Sequence, residues 1–156
     1  MRTYADSSFI VRLLAAESTS HRVISEYRRL GRPAFFFLPL HALEVRNAIL
    51  HRAFFQRHSQ SQPERQRAAR DRDAALGRLE AYSRRKAFIE VQPEWDAVFA
   101  IARELSDKYT ERFGPRTIDI LHVANALVLE AEHFLTTDVR QSDLAIAEGL
   151  NVTLAE

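Results

Sequence analysis

Cysteine is missing from all 156 residues, which removes disulfides, thiolate zinc sites and cysteine nucleophiles together. Any metal would have to be held by Asp, Glu or His. No apolar run approaches the roughly 18 uninterrupted residues that a membrane span requires. Asp6 and Arg12 interrupt the opening stretch where a signal peptide would be apolar. These absences lead us to expect a soluble, unexported, cytoplasmic protein. Lysine is almost missing as well, since Lys86 and Lys108 are its two instances, so arginine carries the positive charge. No internal repeat and no low-complexity tail is visible. What remains is a chain of ordinary domain length with 46% hydrophobic residues, enough for one core, and we expect a single domain over residues 1–156.

The net charge of +1 conceals an asymmetry. Residues 57–86 hold nine Lys or Arg against four Asp or Glu, so this segment is basic and the flanks are slightly acidic. That pattern suits a protein that grips a polyanion and works on it with metal, and it equally suits a solvated helix.

Strand and helix signals alternate along the chain. "RTYA" reads as a strand ending at Asp6, and "SSFIVRLLAAE" as a helix with Phe9, Leu13 and Ala16 on one side. A second helix is expected from Thr19 to Leu30, stopped by Gly31, Arg32 and Pro33. "AFFFL" reads as a buried strand, Pro39 opens a long helix, and a Ser/Gln hinge, "SQSQ", leads at Pro63 into another that runs to about Arg85. "AFIEV" is a third strand, followed by a helix opened by Pro93. Gly114 and Pro115 then precede "RTIDILHVANALVLEA", an almost wholly apolar helix that carries Asp119 near its start. "HFLTT", a helix ended by Gly149, and "NVTLA" complete the chain. Such alternation implies an α/β fold, a three-layer α/β/α sandwich around a mainly parallel sheet. Ligands of such sheets bind beyond the carboxyl ends of the strands, where the chain switches direction.

Four acids belong to that rim. Asp6 follows the first strand, Glu44 sits early in the helix after the second, Asp138 follows the fourth, and Asp119 starts the helix that leads into it. Clustered carboxylates repel unless a cation compensates, and Mg²⁺ or Mn²⁺ prefers oxygen ligands. Each acid also has an ordinary role. Asp6 and Asp138 can cap the helices that follow them, the latter with Gln141 as in a capping box. Asp119 stands two residues after Thr117, a candidate N-cap, where the helix dipole favours an acid by roughly 0.3–1 kcal/mol. Glu44 can be a solvated position beside His51. Two other chemistries at this rim are disfavoured: a dehalogenase-like phosphatase needs an Asp two residues after its nucleophile, where Ser8 stands, and a receiver domain needs a Lys after its last strand. His122, one turn after Asp119, reads as a packing residue before a ligand. Arg46 and Arg116 lie near the rim, and Trp95, Val98, Phe99 and Ala102 form a stripe suited to core or interface.

Together these residues resemble the PIN domain nucleases, and among them the VapC toxins of toxin–antitoxin pairs. "YADSSFIVRLLAAE", "LPLHALEVRNAIL", "RTIDILHVANAL" and "FLTTDVRQSDLAIAEGLNV" are similar to the family's four motifs in the family's order. The resemblance implies endonucleolytic cleavage of RNA at an acidic pocket of Asp6, Glu44, Asp119 and Asp138 binding Mg²⁺ or Mn²⁺. It also implies that Thr136 orients the water or the last acid, with Ser8 assisting. Asp143, five residues after Asp138, is left outside the set. Homodimers, an inhibitory VapB-type antitoxin and contact with DNA only through that antitoxin are implied likewise. The alternative is a PIN-like RNA-binding or scaffolding module without catalysis. The basic segment 57–86 has no counterpart motif. It would serve as an RNA clamp through Arg65, Arg67 and Arg70, or as an interface helix pair.

Overall fold

Side-chain alternation in the short strands decides the architecture. In β1 (Thr3–Ala5) Tyr4 points one way and Ala5 the other, and in β2 (Phe35–Phe37) Phe36 opposes its two neighbours. A strand apolar on both sides must be covered on both sides. The computed structural model, which describes residues 2–15, 20–58 and 61–155, shows that arrangement. The remaining elements are α1 (Ser7–Leu14), α2 (Ser20–Arg29), α3 (Pro39–His58), α4 (Gln62–Arg84), β3 (Phe88–Glu90), α5 (Trp95–Phe113), α6 (Thr117–Val128), β4 (His133–Thr136), α7 (Val139–Ala147) and β5 (Asn151–Leu154). Ala16, Thr19 and the first half of the "SQSQ" hinge, about which the sequence raised expectations, lie outside the described residues.

The sheet has order β3-β2-β1-β4-β5 and every pairing is parallel, so the fold is the expected three-layer α/β/α sandwich. One face, with Tyr4 and Phe134, packs on α5, α6 and α7 through Val98, Leu105, Val123, Ala126 and Leu144. The other, with Ala5, Phe35, Phe37 and Leu135, packs on α1 to α4 through Phe9, Ile10, Val23, Val45 and Ala75. Each fully buried large side chain of this kind contributes about 1.5–3 kcal/mol over leaving it in water. Residues Asp119 to Ala126 of α6 are buried without a break, because α5 flanks the helix on one side and α7 on the other. The stripe on α5 divides: Val98 and Ala102 enter the core, whereas Trp95 and Phe99 are exposed.

Strand order locates the functional rim. The chain lays down β1, β2 and β3 in one direction, then returns past them to place β4 and β5 on the other side of β1. The direction reverses between β1 and β4, and the crevice beyond their carboxyl ends is where such sheets bind ligands.

Candidate functional site

Register brings the first two site residues together. Ala5 pairs with Leu135, so the next residues, Asp6 and Thr136, are neighbours at the carboxyl ends of β1 and β4. The Thr136 hydroxyl donates to Asp6 Oδ2 at 2.8 Å and accepts the Asp138 N–H at 3.0 Å. Asp6 is fully buried, and its carboxylate also receives the Ser8 hydroxyl at 2.8 and 2.9 Å and the Phe9 N–H at 2.8 Å. The Phe9 bond is the N-cap of α1. Burial pushes the Asp6 carboxyl above its ordinary range, against the lowering influence of His122 and of these hydrogen bonds.

Asp138 caps α7 by accepting the Arg140 N–H at 2.8 Å, and its other oxygen meets the Arg140 guanidinium at 3.3 Å. Partial burial raises its pKa, but the Arg140 bonds and charge outweigh this and the net shift is downward. Gln141 does not close a capping box as its spacing suggests. Its side-chain amide donates instead to Asp119 Oδ1 at 3.1 Å. The cap of α6 also differs from expectation, being Arg116 where Thr117 was the candidate. Asp119 Oδ2 reaches back to the Arg116 N–H at 2.7 Å, and the helix starts one residue earlier than a Thr cap would have it.

Glu44 approaches from the other side of the sheet. Its Oε2 takes the Ser7 hydroxyl at 3.0 Å and stands 2.7 Å from His122 Nε2. The opposite ring nitrogen of His122 meets the Tyr4 hydroxyl at 2.9 Å. His122, buried to 1% exposure, therefore holds Glu44 and not Asp119, its neighbour one turn earlier. Asp6, Thr136, Asp138, Gln141 and Asp119 thus form one hydrogen-bonded chain along the rim, and Ser7 joins Glu44 to the same end of α1. Asp143 is exposed and outside this network. A cavity of about 320 Å³ opens beside Glu44, bordered by Ser7, Ser8, Val11, Arg12 and Ala48.

Sequence reasoning missed Tyr4, Ser7, His41, Arg140 and the true partner of Gln141. Tyr4 and Ser7 flank Asp6, so proximity was a signal; His41 gave none. At the start of α3, His41 Nδ1 accepts the Leu38 N–H at 3.0 Å, the same reach-back that Asp119 makes in α6. Burial, and then the charge of neighbouring His122, holds the His41 ring well below the ordinary histidine range. An unfolded His titrates near 6.5. Below that pH the unfolded chain binds the extra proton, so the stability contributed by neutral His41 is present above about 6.5 and falls as pH falls, by up to about 1.4 kcal/mol per unit. His41→Gln keeps the cap and is expected to flatten the pH dependence of urea midpoints between about pH 6.5 and 5. An unchanged slope would remove His41 from the account.

Two observations bear on a metal. The donors are hard carboxylate oxygens, as Mg²⁺ and Mn²⁺ require. Yet among the described residues no three His, Asp or Glu side chains are grouped so as to hold an ion. Mg²⁺ commonly uses one or two protein carboxylates and completes its shell with water and substrate phosphate, so the donor set fits an ion held in that open manner. No helix among the described residues is long and apolar enough to cross a membrane. The chain matches the model of the PIN domain family over residues 3–147, which takes in all four acids and every strand except β5. No curated protein matches it by sequence comparison.

Proposed function

The chain belongs to the PIN domain family, whose members are generally nucleases that use divalent metal ions, and on that premise we propose that it is a Mg²⁺- or Mn²⁺-dependent endoribonuclease, the VapC-type toxin of a type II toxin–antitoxin pair. The observation that carries this reading is the bonded chain from Asp6 through Thr136, Asp138 and Gln141 to Asp119 at the sheet's switch point. The candidate ligands are Asp6, Asp119 and Asp138, with Glu44 opposite, of which one or two would hold the ion and water and substrate phosphate would complete its shell. A bound divalent ion supplies a water of lowered pKa and positive charge against the oxygens of the scissile phosphate.

The protein's own part is positioning. Ser8 and Thr136 fix both oxygens of Asp6, Gln141 fixes Asp119, and Arg140 keeps Asp138 ionised. The cavity beside Glu44 receives the strand to be cut, and no covalent nucleophile is required. Exposed Leu43, Leu50 and Phe54 on α3, with Trp95 and Phe99 on α5, support a homodimer. An acidic rim suits an inhibitory VapB-type antitoxin that inserts an arginine, with DNA reached only through that partner. On this reading the protein acts in the cytoplasm as a single domain over residues 1–156. Along α4, Ala68 and Ala75 are buried while Arg65, Arg67 and Arg70 are exposed, as a clamp for the RNA backbone would need.

A second reading, a PIN-like module that binds RNA without cutting it, is favoured by the lack of a three-ligand group among the described residues. Purified protein with Mn²⁺ and a structured RNA separates the two. Internal cleavage that EDTA stops and added Mn²⁺ restores is expected. RNA binding with no cleavage under any metal would favour the module. A short neighbouring reading frame with a DNA-binding pattern would identify the toxin role.

A further inference from the structure

We propose that the protein has a second binding site, at the opposite rim of the sheet, for a phosphate-bearing nucleotide. A cavity of about 540 Å³ lies against Ala34 and Ala87, the residues that immediately precede β2 and β3. The acidic rim follows β1 and β4, so the two sites are separated by the length of the strands, about 10–13 Å for three or four residues. The inference therefore stands apart from the reading of the acidic rim.

Five cations border the cavity, Arg28, Arg32, Arg78, Arg85 and Lys86, and no acid does. Among the described residues the side chains of Arg28, Arg32, Arg85 and Lys86 make no hydrogen bond or ion pair. Arg78 is tethered through Nε to the Leu14 carbonyl at 2.5 Å, which orients its guanidinium. Leu13, Ile24, Tyr27 and Tyr82 add apolar and aromatic surface to the same lining.

Cations at the ends of α2 and α4 could serve only the helix dipoles, and Arg28, in the last turn of α2, does have that use. Arg32 and Lys86 lie beyond the helices. Both adopt left-handed backbone, with φ of 56° and 55°, a region that glycine occupies freely and arginine or lysine rarely. The conformation itself is how these helices stop, since Glu130 after α6 shares it with φ of 49° and the same backbone bonds, so what is particular to Arg32 and Lys86 is where they place their charge. Both bring it to one cavity, from two different helix ends.

The shape selects the ligand class. A cleft of this volume, open to solvent on one side, suits a drug-sized molecule. Unpaired cations ask for phosphate, and the apolar wall asks for a planar or apolar body beside it. A nucleotide has both, and it could arrive free or as the phosphorylated end of an RNA strand.

Calorimetric titration in EDTA, which silences metal-dependent cleavage, tests this with ATP, pyrophosphate, and an RNA pentamer carrying a 5′-phosphate or a 5′-hydroxyl. ATP or the phosphorylated pentamer should bind at least about tenfold more tightly than pyrophosphate. The tighter of the two identifies the source, and either supports the site. Arg85→Glu with Lys86→Glu should weaken that binding by about tenfold or more at unchanged melting temperature. Lys86→Gly should melt higher and bind more weakly, a pairing that a purely structural lysine would not give. Wild-type binding by the Arg85→Glu, Lys86→Glu protein would overturn the proposal. So would pyrophosphate binding as tightly as ATP, or no binding by any probe. Loss of binding in Asp6→Asn alone would overturn it too, by moving the ligand to the acidic rim.

Discussion

Asp119→Asn is expected to lower metal-dependent RNA cleavage by about 10³-fold while the protein remains folded. The substitution removes the negative charge and leaves the shape. Asp119 now accepts from the Arg116 N–H on one oxygen and from the Gln141 amide on the other. Asn can keep the first bond through its own oxygen. Its amide would then face the Gln141 amide, but Gln141 Oε1 is buried without a partner, so a flip of that side chain restores the second bond. A melting temperature close to that of the unaltered protein, together with the loss of cleavage, is the expected pair of measurements. Activity within tenfold of the original would remove Asp119 from the site. Alanine at position 6 would be a poorer probe, since it strands the Phe9 N–H and two hydroxyls in the interior and confounds folding with chemistry.

Phe134→Ala should be the more damaging change to the fold. The ring is fully buried in the strand beside β1 and stacks on Tyr4 with centroids 5.6 Å apart and planes at 4°. Truncating a buried phenylalanine costs roughly 3–5 kcal/mol. For a chain of this length that corresponds to a fall in melting temperature of roughly 6–20 °C, readable by calorimetry. The effect is not confined to the core. Tyr4 holds the His122 ring, which holds Glu44, so a loosened Tyr4 should also weaken whatever Glu44 does. Phe134→Leu, which refills most of the space, should recover most of the stability. A loss below about 1 kcal/mol for the alanine variant would contradict this packing.

Most of the architecture could be read from periodicity and punctuation. "AFFFL", "AFIEV" and "HFLTT" are short, apolar and bounded by Pro or by charged residues, and each contains a strand; Pro39 and Gly114 mark helix ends where the structure has them. The lateral contacts were hidden. That Thr136 would touch Asp6 depends on the pairing of β1 with β4, and nothing local in either segment encodes it. His122 could be seen to share a helix face with Asp119, but its partner, Glu44, comes from a helix on the opposite side of the sheet. For the acids, capping a helix and standing at the rim are not exclusive. Asp6, Asp119 and Asp138 each bond a backbone N–H at the start of a helix and also belong to the rim network. A carboxylate has two oxygens and about four lone-pair sites, enough for both roles. The charge excess of residues 57–86 was visible in the sequence, but the cavity that its last members border was not, because the other wall comes from α2.

The position of β1 in the sheet also bears on when the site comes into being. β1 is the central strand, and its second edge is filled by β4, which follows β2 and β3 in the chain. The bond between Thr136 and Asp6 joins residues 130 apart in sequence. Pairings of such span form late and slowly, because a long loop must close before any contact rewards it. A chain still emerging from the ribosome can hold β1, β2 and β3 with their helices and yet lack Asp119, Thr136 and Asp138. The acidic rim therefore cannot form before the chain through Asp138 has been made and β4 has paired with β1, so an amino-terminal piece that already holds three of the five strands has none of the paired geometry of the site.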